Sequence, residues 1–513
     1  MSTHGTRPAL GSEEPEGAHG HAGAVGAGGH GGPGGPGGHG SSGGLGGPDR
    51  PGGPGSSPGG PAGAGAGGDA AATDSSFDAF HPPSAELLAD CVHCGFCLPT
   101  CPTYTLWGEE MDSPRGRIYL MEMARKGEIG LEGAFTTHMD RCLGCMACVT
   151  ACPSGVQYDQ LLEATRPQIE RNVPRSAADK AFREAIFALF PYRRRLRAAS
   201  VAGAAYAGVR SRVGGERIDG LLARLPKRLE RLVALESLLP PVDVKAAFTQ
   251  LPEFTRADAA TGSRRGRVGM LVGCVQDVFF HHVNEATVRV LAAEGFDVVA
   301  PREQQCCGAL SMHAGREPEA AERAKKLIEV FEAAGVDAIA VNVAGCGSSL
   351  KEYDRLLADD PEWASRAAEF SAKVQDVSEL LASVLAEPRA PRHPIEARVV
   401  YHDACHLGHA QGVRAQPRDV LRAIPGVELV ELPEAEICCG SAGIYNMLQP
   451  QAAADLGKRK ADNIRGTGAD VLVTGNPGCL LQMRKHLGAD LPMLHPIQLV
   501  DASIRAVPRP WEA

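Results

Sequence analysis

The segment CVHCGFCLPTCP at residues 91–102 returns as CLGCMACVTACP at residues 142–153, so the pattern CxxCxxCxxxCP occurs twice. This pair constrains the fold more than any other feature, because eight thiols spaced in this way must wind the backbone around something they bind. Three thiolates in step wrap one corner of an iron–sulfur cube. The fourth, displaced by a longer step and turned away by Pro102 or Pro153, serves the other cluster in two-cluster ferredoxins. The spacing therefore assigns Cys91, Cys94, Cys97 and Cys152 to one [4Fe-4S] cluster and Cys142, Cys145, Cys148 and Cys101 to a second. Structural zinc also uses CxxC pairs, but it needs only four ligands in a tetrahedron. A third cysteine in step and a terminal Cys-Pro, twice over, fit zinc poorly.

The chain has 16 cysteines in 513 residues. Its N-terminus has neither an apolar core nor a twin arginine for export, and no stretch approaches the roughly 18 apolar residues of a membrane-spanning helix. A cytoplasmic protein is expected, reaching the inner face of the cell membrane at most as a peripheral contact. In that reducing compartment the thiols read as metal ligands or redox groups rather than as disulfides. The formal net charge of −9 gives no reason to expect nucleic acid as a partner.

Five regions follow from composition and pattern. Residues 1–80 form a disordered Gly/Pro/His-rich tail, with nothing to bury against the entropy of ordering it. Its GPGGPG at 32–37 matches a dinucleotide fingerprint only formally, since no strand precedes it and no helix follows. Its histidines (His4, His19, His21, His30, His39) read as part of a solvated low-complexity segment. Residues 81–165 hold both cysteine motifs, joined through SPRGRIYLMEMARKGE, where a breaker precedes apolar residues at helical spacing. Arg115, Arg117 and Arg141 beside the motifs would favour the reduced, more negative clusters. Residues 166–260 form a basic helical linker: 171–240 carry fifteen Lys or Arg against six Asp or Glu. Such a surface suits anionic headgroups, an acidic partner, or simply solvent.

The remainder is an internal repeat, 261–388 and 389–513. Cys274, Cys306, Cys307 and Cys346 recur as Cys405, Cys438, Cys439 and Cys479, with offsets 405−274=131, 438−306=132 and 479−346=133. Short β-branched strands alternate with helices, and each cysteine falls just after a strand or before a helix. That pattern predicts two α/β domains with mainly parallel sheets and their sites at strand ends. The fold class expected is α+β multidomain: a helical dicluster ferredoxin-like domain followed by two repeated α/β domains. These eight cysteines are candidate cofactor ligands. Adjacent cysteines clasp one metal poorly, but they can hold different irons or present a reactive dithiol. His313, His402, His406 and His409 lie beside these loops as further ligands or proton shuttles.

With CVHCGFCLPTCPTY, SPRGRIYLM, ACPSGVQY, HDACHLGHAQG, CCGSAGIYN and TGNPGCLLQM in place, the chain resembles the iron–sulfur subunit of glycolate oxidase (glycolate dehydrogenase) from about residue 81 to its C-terminus. The resemblance implies partner subunits that carry FAD and oxidise glycolate to glyoxylate. Two [4Fe-4S] clusters in this chain would then pass the electrons singly to a quinone or another acceptor, and no catalytic residue is expected here. It leaves open a related dehydrogenase for lactate, another 2-hydroxy acid or glycerol 3-phosphate, and, in a different class, a zinc-stabilised scaffold. In related heterodisulfide reductase subunits the cysteine-rich domain ends in CxxC. Here Ser349 and Gln482 stand at the matching positions, so each repeat is one thiol short.

Overall fold

A computed structural model describes residues 75–214 and 243–512. The tail histidines and the acidic and basic residues between 215 and 242 lie outside the described residues.

The cysteine motifs sit among short helices. Pro114–Arg125 begins at a Ser113 cap whose side chain accepts from the Gly116 N–H, with Pro114 in the first turn where it lacks only a donor that would be unpaired anyway. Its apolar face (Ile118, Met121, Ala124) packs on Phe135 and Met139 and on Leu161 and Leu162 of helix Tyr158–Asn172. Residues 75–80, placed in the tail by their composition, are docked here. Phe77 is buried edge-on to Phe135 at 5.9 Å between ring centroids, and Asp78 accepts from Gln168, Arg171 and Asn172.

Helices Ala177–Leu189 and Arg193–Val213 follow. Two arginines of the basic run are turned inward rather than to solvent: Arg197 pairs with buried Asp277 at 3.0 Å and Arg193 approaches the same carboxylate at 3.8 Å.

Each repeat is a doubly wound α/β unit. In the first, strands β1 (Phe254–Thr255), β2 (Gly266–Met270), β3 (Phe296–Val299), β4 (Ala338–Val341) and β5 (Val374–Asp376) are ordered β1-β3-β2-β4-β5. All pairs are parallel except the edge strand β1, which runs antiparallel to β3 and comes from the stretch read as linker. The second sheet, β6 (Ala397–Tyr401), β7 (Val427–Val430), β8 (Val471–Val473) and β9 (Met493–Leu494), is wholly parallel in the order β7-β6-β8-β9. Buried residues of β2, β3, β6 and β8 belong to one continuous apolar core. Helices His281–Ala293 and Pro496–Ile504 also contribute to it, and Arg289 holds Asp501 at 2.8 Å across the join.

Topology fixes where the thiols go. Cys274, Cys306–Cys307 and Cys346 follow the C-terminal ends of β2, β3 and β4, and Cys405, Cys438–Cys439 and Cys479 follow those of β6, β7 and β8. Parallel sheets build their crevices at these ends, so three strands per repeat deliver four thiols to one place.

Candidate metal centres

Cys91, Cys94, Cys97 and Cys152 line an open recess, walled on its inner side by Ile118 and Val156, with Cys94 exposed at the rim. Burial comes first in raising the Cys91 thiol above its ordinary range, and neighbouring Cys152 and Cys94 add to it. A recess lined by four convergent thiols fits an iron–sulfur cube. On the other side, burial and then the fields of Cys145, Cys142 and Cys101 push Cys148 well up. Burial, Cys405 and Cys101 do the same for Cys145. Bringing such thiols together dry is unfavourable unless a cation takes their charge.

The protein prepares one of them for ionisation. Burial works against the Cys142 thiolate, but Arg117, Arg166 and the Gly144 N–H outweigh it and bring the thiol below its ordinary range. Arg117 is fully buried. Its guanidinium lies 4.0 Å from Cys101 Sγ, 3.3 Å from Asp112, 3.1 Å from Thr103 Oγ1 and 2.8 Å from the His138 carbonyl. Asp112, also fully buried, accepts in addition from Arg141 at 2.9 Å and contacts the His138 ring at 2.8 Å. Arg115 lies further out, bonded to Glu110 and to the His93 carbonyl.

In the first repeat Cys274 donates to Cys306 at 3.6 Å. That bond and one from Cys307 favour the Cys306 thiolate despite burial. These thiols pack beneath Leu196 and Ala247 of the helical segment. In the second repeat bonds from Cys438 and Cys479, with His402 alongside, favour the Cys439 thiolate. Here Cys405 and Cys438 share an apolar cluster with Cys145 and Tyr445, so this site abuts the second cysteine motif.

Known proteins carry the same parts. A cysteine-rich domain model matches residues 268–351 and 399–484, and a 4Fe-4S dicluster domain model matches 87–156. The chain is 40% identical over 403 residues to a probable glycolate oxidase iron-sulfur subunit of Bacillus subtilis (strain 168), covering 78% of this chain and 88% of that one. It is 34% identical over 398 residues to the glycolate oxidase iron-sulfur subunit of Escherichia coli (strain K12), covering 77% and 89%. The chain belongs to the glycolate oxidase iron-sulfur subunit family. Lactate utilization protein A of Halalkalibacterium halodurans is 31% identical over 232 residues, 45% of this chain and 94% of that one. This family member is thus an iron–sulfur protein with a 4Fe-4S dicluster region and two cysteine-rich repeats, and none of its described helices is long and apolar enough to cross a membrane.

Several site residues escape a sequence reading. Tyr158 donates to Cys142 Sγ at 3.6 Å, and Arg166 bridges the Cys142 carbonyl at 2.8 Å to the His313 carbonyl at 2.7 Å. Lys460, almost fully buried, lies in the field of Cys439, Cys405 and Cys438. No periodicity marks these residues; only their distance from the motifs in space does. Of the flanking histidines, His409 bonds Thr150 at 2.8 Å across to the dicluster region, while the His313 and His406 rings meet tilted at 49°, 4.9 Å between centroids. Only His402 comes close to the thiols as a group of potential ligands among the described residues.

Proposed function

We propose that this chain carries electrons one at a time from FAD on partner glycolate oxidase subunits, which convert glycolate to glyoxylate, to a quinone or another acceptor. In this reading Cys91, Cys94, Cys97 and Cys152 hold one [4Fe-4S] cluster, and Cys101, Cys142, Cys145 and Cys148 the other. Cys274, Cys306, Cys307 and Cys346, with Cys405, Cys438, Cys439 and Cys479, are sites for a further metal or cluster. When bound, such clusters supply single-electron redox steps at low reorganisation cost. The chain's own residues do the rest: Arg117 and Arg166 offset thiolate charge, Tyr158 and the Gly144 N–H bond Cys142, and the apolar walls exclude water.

The observation that carries the reading is the continuity of thiols, from the recess around Cys91 through buried Cys148 and Cys145 to buried Cys405. The test uses the complex of this chain with its flavin subunits. With Cys97→Ser, glycolate should still reduce the flavin, while electron delivery to an added acceptor falls at least 100-fold. Loss of flavin reduction in an intact complex would refute the relay role. The kinship with lactate utilization protein A favours lactate as the second substrate to assay. A colourless, sulfide-free, zinc-loaded preparation would instead identify a scaffold.

A further inference from the structure

Strand β6 ends at Tyr401, and the next residue, His402, brings its imidazole to the crevice where Cys439 and Cys479 arrive from the ends of β7 and β8. One ring nitrogen and the two sulfurs all lie within 4.8 Å of one another. All three residues are buried, and the His402 ring lies against the Cys439 thiol, which it helps to ionise, with no other polar partner among the described residues. Leaving the other ring nitrogen unsatisfied in the interior costs about 1–3 kcal/mol, and native proteins seldom tolerate it without an ion or water.

Geometry and charge at His402, Cys439 and Cys479 fit a single ion. Two ligand atoms on the same zinc ion stand at most about 4.6 Å apart, twice the zinc–sulfur bond. The spread seen here is therefore close to that of donors closing on a single centre, with little movement needed. Two thiolates and a neutral imidazole around a dication leave no net charge to bury, and mixed nitrogen and sulfur donors suit zinc. The Asn476 side chain donates to Cys479 Sγ at 3.4 Å, a contact that orients the ligand. The other two thiols of the repeat adjoin this triad: Cys438 contacts both Cys439 and Cys405, and Cys405 and Cys438 pack against Cys145 on the side of the dicluster region. In the first repeat the position of His402 is taken by Leu271 (402−131=271), a buried core residue, so the triad has no counterpart there.

We propose that the second cysteine-rich repeat binds a single zinc-class ion through His402, Cys439 and Cys479. This deepens the reading that the repeats bind metal, and it is independent of the electron route. The test is metal, iron and sulfide analysis, with zinc X-ray absorption, on the full chain purified without oxygen together with its partners. One zinc per chain is expected, with sulfur and imidazole nitrogen in its shell. His402→Ala should lower zinc at least tenfold with iron and sulfide unchanged, His402→Cys should restore most of it, and Leu271→Ala should leave it in place. Unchanged zinc in His402→Ala overturns the proposal. So does a loss of iron and sulfide together in that variant, which would make the site a cluster. Cobalt(II) loaded into the wild-type chain needs no variant: a thiolate-to-cobalt charge-transfer band with tetrahedral d–d intensity is expected, and its absence also overturns the proposal. Absence of iron with zinc retained would defeat the relay reading and leave this one standing.

Discussion

The two cysteine-rich repeats share strand order at their centre and the same four thiols at strand ends, yet they are placed and furnished differently. The second puts Cys405 and Cys438 against Cys145 of the dicluster region, while the first lies under the basic helices, with Leu196 and Ala247 over Cys274 and Cys306. His402 in one is Leu271 in the other. The helix after the last strand is capped by Asp376 in the first repeat and by His495 in the second, each in a full capping box. A duplicated scaffold thus holds two chemically distinct crevices, and the divergence lies in the residues around the thiols rather than in the thiols themselves.

Breaking the comparison at its widest point means removing thiols from one repeat at a time. On the proposed route Cys405→Ser with Cys438→Ser should cut acceptor reduction at least 100-fold in the assembled complex, because those thiols adjoin Cys145. Cys274→Ser with Cys306→Ser should change it by less than about threefold. Equal losses in stopped-flow reoxidation of the flavin subunits would show that burial beside Cys145 does not decide the path.

Much of this asymmetry was invisible in the chain as text, and the reason is physical. Thiol spacing is local, so the dicluster motifs and the 131-to-133-residue repeat could be read directly, as could strands such as β2 and β6, each ending in three buried residues that include Val268 or the Val399–Val400 pair. Two- and three-residue strands such as β1, β5 and β9 carry no period long enough to register. The neighbours of a site arrive from far along the chain. Arg166 meets His313 across 147 positions, and His409 meets Thr150 across 259. His402 was legible only as a histidine near a cysteine; the fold, not the spacing, sets it beside Cys439 and Cys479.

The caps sharpen the comparison with pH. Burial, opposed by the Ser378 N–H, pushes the Asp376 carboxyl up to about 6. A carboxyl raised above its unfolded value contributes stability that is present at low pH and is lost as pH rises through about 6, a total of about 3 kcal/mol at 1.36 kcal/mol per unit. Burial moves His495 the other way, down to about 3. Its ring accepts from the Ile497 N–H at 3.1 Å and its other nitrogen donates to the Asn342 carbonyl at 3.0 Å, so the neutral form is the one the fold wants. That contribution is full above pH 6.5 and is lost as pH falls toward 3, which amounts to about 2 kcal/mol by pH 5. Asp376→Asn should therefore raise the melting temperature at pH 7 and leave it little changed at pH 4. His495→Gln should flatten the fall between pH 6.5 and 5. Thermal unfolding across that range checks both, and parallel pH profiles in wild type and either variant would remove the assigned role of that cap.

The smallest effect concerns the glycine that closes each CCG triplet. Gly308 has φ +80 and Gly440 φ +89, a conformation that costs a residue with a side chain about 1–2 kcal/mol. The surroundings differ. A Cβ on Gly308 would sit 3.4 Å from its nearest neighbours on Ala320 and Arg323, which is ordinary contact, whereas one on Gly440 would meet the Ala453 carbonyl oxygen at 2.7 Å, backbone that cannot swing aside. Gly308→Ala should then cost about 1–2 kcal/mol from strain alone. Gly440→Ala should cost about 1–3 kcal/mol more, because helix Pro450–Gly466 must shift or the Cys438–Cys439 turn must open. Chemical denaturation of the two variants side by side measures the gap; a Gly308 variant as unstable as the Gly440 variant would mean that the two turns are packed alike, and that the second repeat is no more tightly closed around its thiols than the first.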